Sequence, residues 1–578
     1  MAKLDLPTVP LAIEHNVAMP MRDGTLLRAD IYRPAQGTPF PALLVRTPYG
    51  EPSVRTAPVL PAIDAGFAVV LQYCRGTGTS DGDFTPFESE SDDGVDSIEW
   101  CARQDWCDGR VGMWGASYVG MVQLAAAVQA PSALKCLLPI VTPADYYGGL
   151  AYRQGAFQLG QLLAWYTMKS AQTLGYRALA GEDVSADGPE LAAHVADIAN
   201  HYRYLPAREM PAVSRIIPGW QRWLDHDRYD QYWREVSYAA RRHRITTPAL
   251  HVGGWFDLFL GGTLDNYQTL RSSAATEHAR RHQALIVGPW THGDQTGTAG
   301  ELHFGMASSA QAIGLEQLQV GFLRTFINGE ERERGALRVK LFVMGDNVWR
   351  DEEDWPLART VWTRWYLHAD GGLSPEAPPA DAPASRYRYD PADPVPTAGG
   401  PTLIPASPDG SVSWMAGPRD QRAIEARSDV LSFTSDVLPE DLEVTGPLVV
   451  TLHAATSAAD TDFTARLVDV WPDGRAIGIA DGIVRARYRD GSGQPAPVTP
   501  GRVYDYSIDM IGTSQVFKTG HRVRVDIASS NFPCFDRNPG NGAPAATATE
   551  RDFVIAEQTM CHDAAHPSFI TLPVIPRG

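Results

Sequence analysis

Residues 106–120 read WCDGRVGMWGASYVG. A short apolar run, Arg110–Trp114, ends in Gly115-Ala116-Ser117-Tyr118-Val119-Gly120, and helix-forming residues continue from Tyr118 to Gln129. The reading is strand, sharp turn, helix. A serine at such a turn projects its hydroxyl from the sheet edge, and its neighbours must be small because backbones crowd there. The helix N-terminus behind it favours a developing oxyanion. Ser117 is therefore a candidate nucleophile. The stretch departs from the usual GxSxG pattern, because Val119 takes the second place after the serine and the glycine comes at 120. Glycine–serine turns are common, so this match needs support from elsewhere in the chain.

Working outward, residues 12–19 and 25–33 read as two extended runs joined by a turn at Arg22-Asp23-Gly24. PALLVR (41–46), GFAVVLQY (66–73) and KCLLPIV (135–141) are short and wholly apolar, and residues 92–104 have helical spacing. Fully apolar runs separated by helices predict a parallel sheet buried on both faces. Residues 145–240 carry aromatics, Arg and helix formers and read as a helical insertion. The strand pattern resumes at PALHVG (248–253), ALIV (284–287) and VKLFVM (339–344).

Two of these later strands end in chemistry. PALHVG leads into Gly254-Trp255-Phe256-Asp257, and ALIV into Gly288-Pro289-Trp290-Thr291-His292-Gly293. A serine hydroxyl needs an adjacent base, and that base needs an orienting carboxylate. In an open α/β sheet such groups sit at strand C-termini. Alone, Asp257 reads as a turn residue and His292 as a structural histidine. Together with Ser117 they stand at three strand ends in the order Ser–Asp–His, which chance rarely supplies.

Beyond residue 354 the texture changes. Residues 372–410 are rich in Pro, Ala, Asp and Gly, although Tyr387 and Tyr389 imply packing. PLVVTLH (447–453), TARLVDV (464–470) and RVRVDIA (522–528) alternate with period two, as strands of an antiparallel sandwich do. The expected division is 1–144 and 241–353 for an α/β domain, 145–240 for its inserted cap, and 354–578 for a β domain.

The 578 residues carry a formal net charge of −18, with 44% hydrophobic and 20% charged residues. That composition belongs to a folded protein, and its acidity disfavours nucleic acid. No apolar stretch reaches the roughly 18 residues of a membrane helix, and MAKLDLPTVPLAIEH lacks the apolar core of a secretory signal. The six cysteines are scattered without a CxxC, so free thiols in a reducing cytoplasm are expected. GTGTSDG (76–82) has neither P-loop nor dinucleotide register and reads as a structural loop. Asp92, Asp93 and Asp96 read as helix N-terminal acids, and Asp351-Glu352-Glu353-Asp354 as a solvated boundary turn rather than a calcium loop. Neither a metal nor an organic cofactor is expected. A homodimer is compatible with the sequence.

The motifs MRDGTLLRADIYRP (21–34), RTPYG (46–50), CRGTGTSDGDF (74–84), WCDGRVGMWGASYVG, GGWFD (253–257), GPWTHG (288–293) and SSNFPCFDRNPG (529–540) span nearly the whole chain. Through them it resembles the cocaine-esterase-like serine hydrolases, relatives of the X-Pro dipeptidyl peptidases and α-amino acid ester hydrolases. GxSYxG is that family's form of the serine turn. The resemblance implies an α/β-hydrolase domain with an inserted helical cap, followed by a jelly-roll-like β-sandwich, and a pocket where the three meet. It implies Ser117 as nucleophile, Asp257 as orienting acid and His292 as base. It also implies an oxyanion hole from the Tyr49 hydroxyl and the Tyr118 backbone N–H, and acyl-pocket roles for Trp165 and Phe259. Trp165 reads equally well as an apolar-face residue of a cap helix.

The α-amino acid ester hydrolases hold an ammonium with a carboxylate cluster, part of which follows the triad acid. Here Leu258, Phe259 and Leu260 stand there, and burying an ammonium against them would be costly. The expected activity is hydrolysis of small-molecule carboxylic esters, with an apolar or aromatic acyl group lacking a free α-amino group, through an acyl-enzyme. An X-Pro dipeptidyl-peptidase-like or α-amino acid ester or amide hydrolase is the alternative within the class. A catalytically inert protein that binds through its jelly roll is the alternative outside it.

Overall fold

The computed structural model describes residues 10–37, 39–50, 59–329, 338–404, 415–491 and 493–577. Residues 1–9, on which the reading of the N-terminus partly rests, and residues 405–410 of the Pro-rich stretch lie outside them.

Ten strands form the first sheet: β1 (Leu11–Pro20), β2 (Leu26–Pro34), β3 (Phe40–Thr47), β4 (Ala68–Tyr73), β5 (Cys107–Ala116), β6 (Leu134–Ile140), β7 (Ala249–Phe256), β8 (Gln283–Thr291), β9 (Val339–Val343) and β10 (Val348–Glu352). Their order is β1-β2-β4-β3-β5-β6-β7-β8-β9-β10. The seven strands from β4 to β9 pair in parallel, and antiparallel strands close both edges. All residues of β4, β7 and β8 are buried, which explains their unbroken apolar runs. Helices α1 (Glu90–Ala102) and α2 (Tyr118–Ala127) pack on each other beside β5, and α5 (Leu315–Asn328) packs on β5 and β6.

Between β6 and β7 the chain is mainly helical. Its longest element is α3 (Leu159–Leu179), and α4 (Leu260–Ser273) follows β7. The insertion also holds a short hairpin, Tyr152–Arg153 with Ala156–Phe157. The second half of the chain is an antiparallel sandwich of a nine-stranded and a four-stranded sheet. Its core is the Val, Leu and Ile of the inward faces, such as Val450, Leu452, Leu467, Val525 and Ile570. Tyr387 and Tyr389 lie in a strand of that sandwich, with their hydroxyls bonded to Ser529 and to the Asn538 carbonyl.

The stretch SSNFPCFDRNPG (529–540) ties these parts together. Asp536 accepts from the backbone of Phe157 in the insertion and pairs with Arg485, which is itself clasped by Asp462. Asn538 donates to Asp460 and Asp462. Arg350 on β10 reaches across to Glu443 of the sandwich. The acidic run at 351–354 is solvated at Asp351 and Glu353 but not at Glu352. Asp351 and Glu352 end β10, and strand alternation turns Glu352 inward against Arg350 and Arg359, while Asp354 takes the Tyr267 hydroxyl and Arg271.

Candidate active site

Ser117 stands between β5 and α2 with φ 59° and ψ −124°. A non-glycine residue pays strain there, and the surrounding packing must hold it. Two glycines let the backbones close in. A Cβ on Gly115 would lie 2.0 Å from Val119 Cγ1, and one on Gly120 would lie 2.0 Å from Thr142 Oγ1. The offset glycine therefore has a steric reason. Position 119 supplies the side chain that fills the space over Gly115, and position 120 is where β6's exit presses on the helix.

The Ser117 hydroxyl lies 3.0 Å from His292 Nε2, and His292 Nδ1 lies 2.6 Å from Asp257 Oδ2. Both partners follow fully buried strands, β7 and β8. Asp257 is itself fully buried, and its other oxygen accepts the Phe259 backbone N–H at 2.7 Å. With Nδ1–H donating to the carboxylate, Nε2 is left to accept the serine proton. Trp255 and Trp290 anchor the two strand ends by donating to the carbonyls of Phe342 and Ser308.

Tyr49 follows β3, and its backbone N–H is held by the Thr47 hydroxyl. Its phenol lines the same cavity as Ser117, and burial pushes its pKa up to about 12, so it keeps its proton at neutral pH. Trp165 on α3 donates from Nε1 to the Tyr49 oxygen at 3.1 Å. Tyr118 opens α2, so its backbone N–H has no partner within the helix. Its side chain turns away from the serine: the hydroxyl donates to Glu90 and accepts from the Phe87 N–H, and the ring stacks on Phe87. Glu90 is held in turn by the fully buried Arg46.

Ser117, His292, Tyr49 and Tyr118 open onto one cavity. Its remaining walls come from the sheet side (Phe87, Met121, Leu258, Phe259), from the insertion (Leu150, Gln161, Leu162, Trp165, Trp223) and from Leu403 of the second half. None of these lining residues is Asp, Glu, Lys or Arg. Phe259 also sets its ring edge-to-face with His292 at 5.3 Å. Leu260 does not line the cavity and instead packs beneath β7 with Trp255. Sequence reading missed Arg46, Glu90, Gln161, Trp223 and Leu403. Only Arg46 left a signal there, as a charge closing an otherwise apolar strand.

Among the described residues there is no cluster of His, Cys, Asp or Glu able to hold a metal, and no helix is long and apolar enough to cross a membrane.

Residues 23–294 match the X-Pro dipeptidyl-peptidase (S15) family profile, and residues 335–571 match the X-Pro dipeptidyl-peptidase C-terminal non-catalytic domain. The cocaine esterase of Rhodococcus sp. (strain MB1 Bresler) is 38% identical over 98% of this chain and 99% of its own. An aminopeptidase from a marine sediment Thaumarchaeota archaeon superposes with a TM-score of 0.81 at 26% identity, covering 100% of this chain and 98% of that one. An α-amino acid ester hydrolase superposes with 0.80 at 25% identity, covering 99% of both chains. With this fold, this serine-centred site and these relatives, the chain belongs to the S15 family of serine hydrolases, in its cocaine-esterase-like branch.

Proposed function

We propose that the protein hydrolyses carboxylic esters of compact apolar or aromatic acids that lack a free α-amino group. The observation that carries this reading is the Ser117–His292–Asp257 chain opening into a cavity without a charged wall residue. An ammonium placed there would lose its hydration with no carboxylate to replace it. The buried ammonium of Lys169, behind Tyr49, would add repulsion.

Ser117 Oγ attacks the ester carbonyl while its proton passes to His292 Nε2. The tetrahedral oxygen takes hydrogen bonds from the Tyr49 hydroxyl and the Tyr118 N–H, donors fixed before the charge develops. His292 then returns the proton to the departing alkoxide, and the alcohol leaves an acyl-serine. Water attacks that ester with His292 again as base, releasing the acid and restoring Ser117. Because His292 protonates the leaving oxygen, the alcohol belongs on its side. There His292 also lines a wide, open polar cleft with Trp114, Gln295, Gln311, Glu316 and Gln319.

The test compares p-nitrophenyl benzoate with the acetate and with a Gly-Pro p-nitroanilide. Turnover of the esters with benzoate favoured, and none of the anilide, is the expected result. Anilide turnover would place the protein on the peptidase side of the family and refute the argument from the cavity walls. Tyr49→Phe should lower kcat by roughly 10²–10³ with KM little changed, as loss of an oxyanion donor does. If that variant kept at least a third of the activity, Tyr49 would be a packing residue only.

A further inference from the structure

Helix α3 grips the Tyr49 segment at two points one turn apart. Trp165 donates to the phenol oxygen at 3.1 Å. Lys169, fully buried, donates from Nζ to the carbonyl of Pro48, the residue before Tyr49. The same ammonium bonds Gln172 Oε1 at 2.9 Å and lies 4.5 Å from the Phe84 ring centre and 5.7 Å from that of Tyr49. Among the described residues no carboxylate pairs with it. The titratable groups facing it are the Tyr49 phenol and the Cys74 thiol, both pushed up and kept neutral by burial. Burying an ammonium without a counter-charge is costly, and burial lowers its pKa to about 8. A lysine needed only to fill space would be better replaced by methionine or leucine.

We infer that Trp165 and Lys169 are positioning residues for the oxyanion donor: the inserted segment aims the Tyr49 proton at the reacting centre. The inference rests on the proposed role of Tyr49. A phenol oxygen has one proton to give and lone pairs to receive with. The Trp165 N–H occupies the oxygen from the cap side, so the phenol's own proton must point elsewhere. Ser117 lines the same cavity as that phenol. Lys169 fixes the backbone end of the same residue, so the phenol is held at both its root and its tip. An indole that only walled the acyl cavity would not need its N–H on the phenol. The cap thereby contributes to kcat as well as to substrate choice.

The test uses Trp165→Phe, which keeps an aromatic ring and deletes the N–H, and Lys169→Met, which keeps length and deletes the ammonium. Each is made in the wild-type chain and in Tyr49→Phe, and kcat and KM are measured with p-nitrophenyl benzoate. Each single change should lower kcat by roughly five- to twentyfold, with KM moving less than about threefold. In the Tyr49→Phe background each should cost less than about twofold, because residues acting through one group are not additive. Lys169→Arg, which can still donate to Pro48, should lose less than Lys169→Met. If Lys169→Met does not fold, as judged by its melting transition, Trp165→Phe and Lys169→Arg carry the test. Equal losses in both backgrounds, or losses confined to KM, would overturn the inference while leaving the role of Tyr49 standing. An unchanged kcat in Tyr49→Phe alone would remove that role, and the inference with it.

Discussion

Ser117→Ala should lower kcat by roughly 10⁴–10⁶, leaving only the background that oxyanion donors and binding supply. It should also abolish labelling by a fluorophosphonate, which needs the activated hydroxyl. The change deletes one oxygen. Alanine and serine both carry a Cβ, so the φ of 59° costs each of them alike. The hydroxyl's partner, His292 Nε2, and the neighbouring Tyr49 phenol face the cavity rather than the core. The melting temperature should therefore stay within a few degrees of the wild type, separating lost chemistry from lost folding. Residual turnover above about 1% of wild type would mean that another group does the work, since no structural effect of so small a deletion could leave a triad enzyme that active. A wild-type chain that the probe fails to label would instead favour a binding protein that keeps the fold without the reaction.

How much of this was legible beforehand divides along a physical line. The buried parallel strands were readable because burial on both faces makes them continuous apolar runs; Asp257 and His292 were readable because each follows such a run directly, and Ser117 because its glycine-flanked turn closes a strand. These are local facts. The meeting of Trp165 with Tyr49 and of Lys169 with Pro48 joins residues 116 and 121 positions apart in the chain. In the sequence YTMKSAQ (166–172), a lysine on a helix reads as a solvated charge, and nothing local says that the loop carrying Tyr49 covers it. Leu403 reaches the cavity from a Pro-rich stretch in which the sequence marks no candidate site residue. Glu352 shows the same limit from the other side. Four acids in a row read as a surface turn, yet the pleat of β10 sends alternate members in opposite directions and buries one between two arginines.

Asp257→Asn should lower kcat by roughly 10⁴, about 5–6 kcal/mol of transition-state stabilisation, with little loss of shape. The reason lies in the two bonds the carboxylate makes. Oδ1 accepts the Phe259 N–H at 2.7 Å, and Oδ2 accepts His292 Nδ1–H at 2.6 Å. An amide has one acceptor oxygen and one donor nitrogen. If its oxygen keeps the Phe259 bond, its NH₂ meets Nδ1, which must then give up its proton to act as acceptor. The imidazole proton moves to Nε2, where it confronts the Ser117 hydroxyl and removes the base. If the amide flips, NH₂ meets the Phe259 N–H, and two donors are left facing each other in a fully buried site, at a cost of roughly 1–3 kcal/mol. Retaining the backbone bond avoids that cost, so the first arrangement should prevail and the fold should survive. Asp257→Ala separates orientation from tautomer, since it removes the acceptor for Nδ1 without supplying a donor. It should retain more activity than Asp257→Asn, because a freed imidazole still visits the productive tautomer. Should Asp257→Asn keep kcat within tenfold of wild type, Asp257 would be a turn residue that happens to touch His292, and the base would have to be oriented by something else.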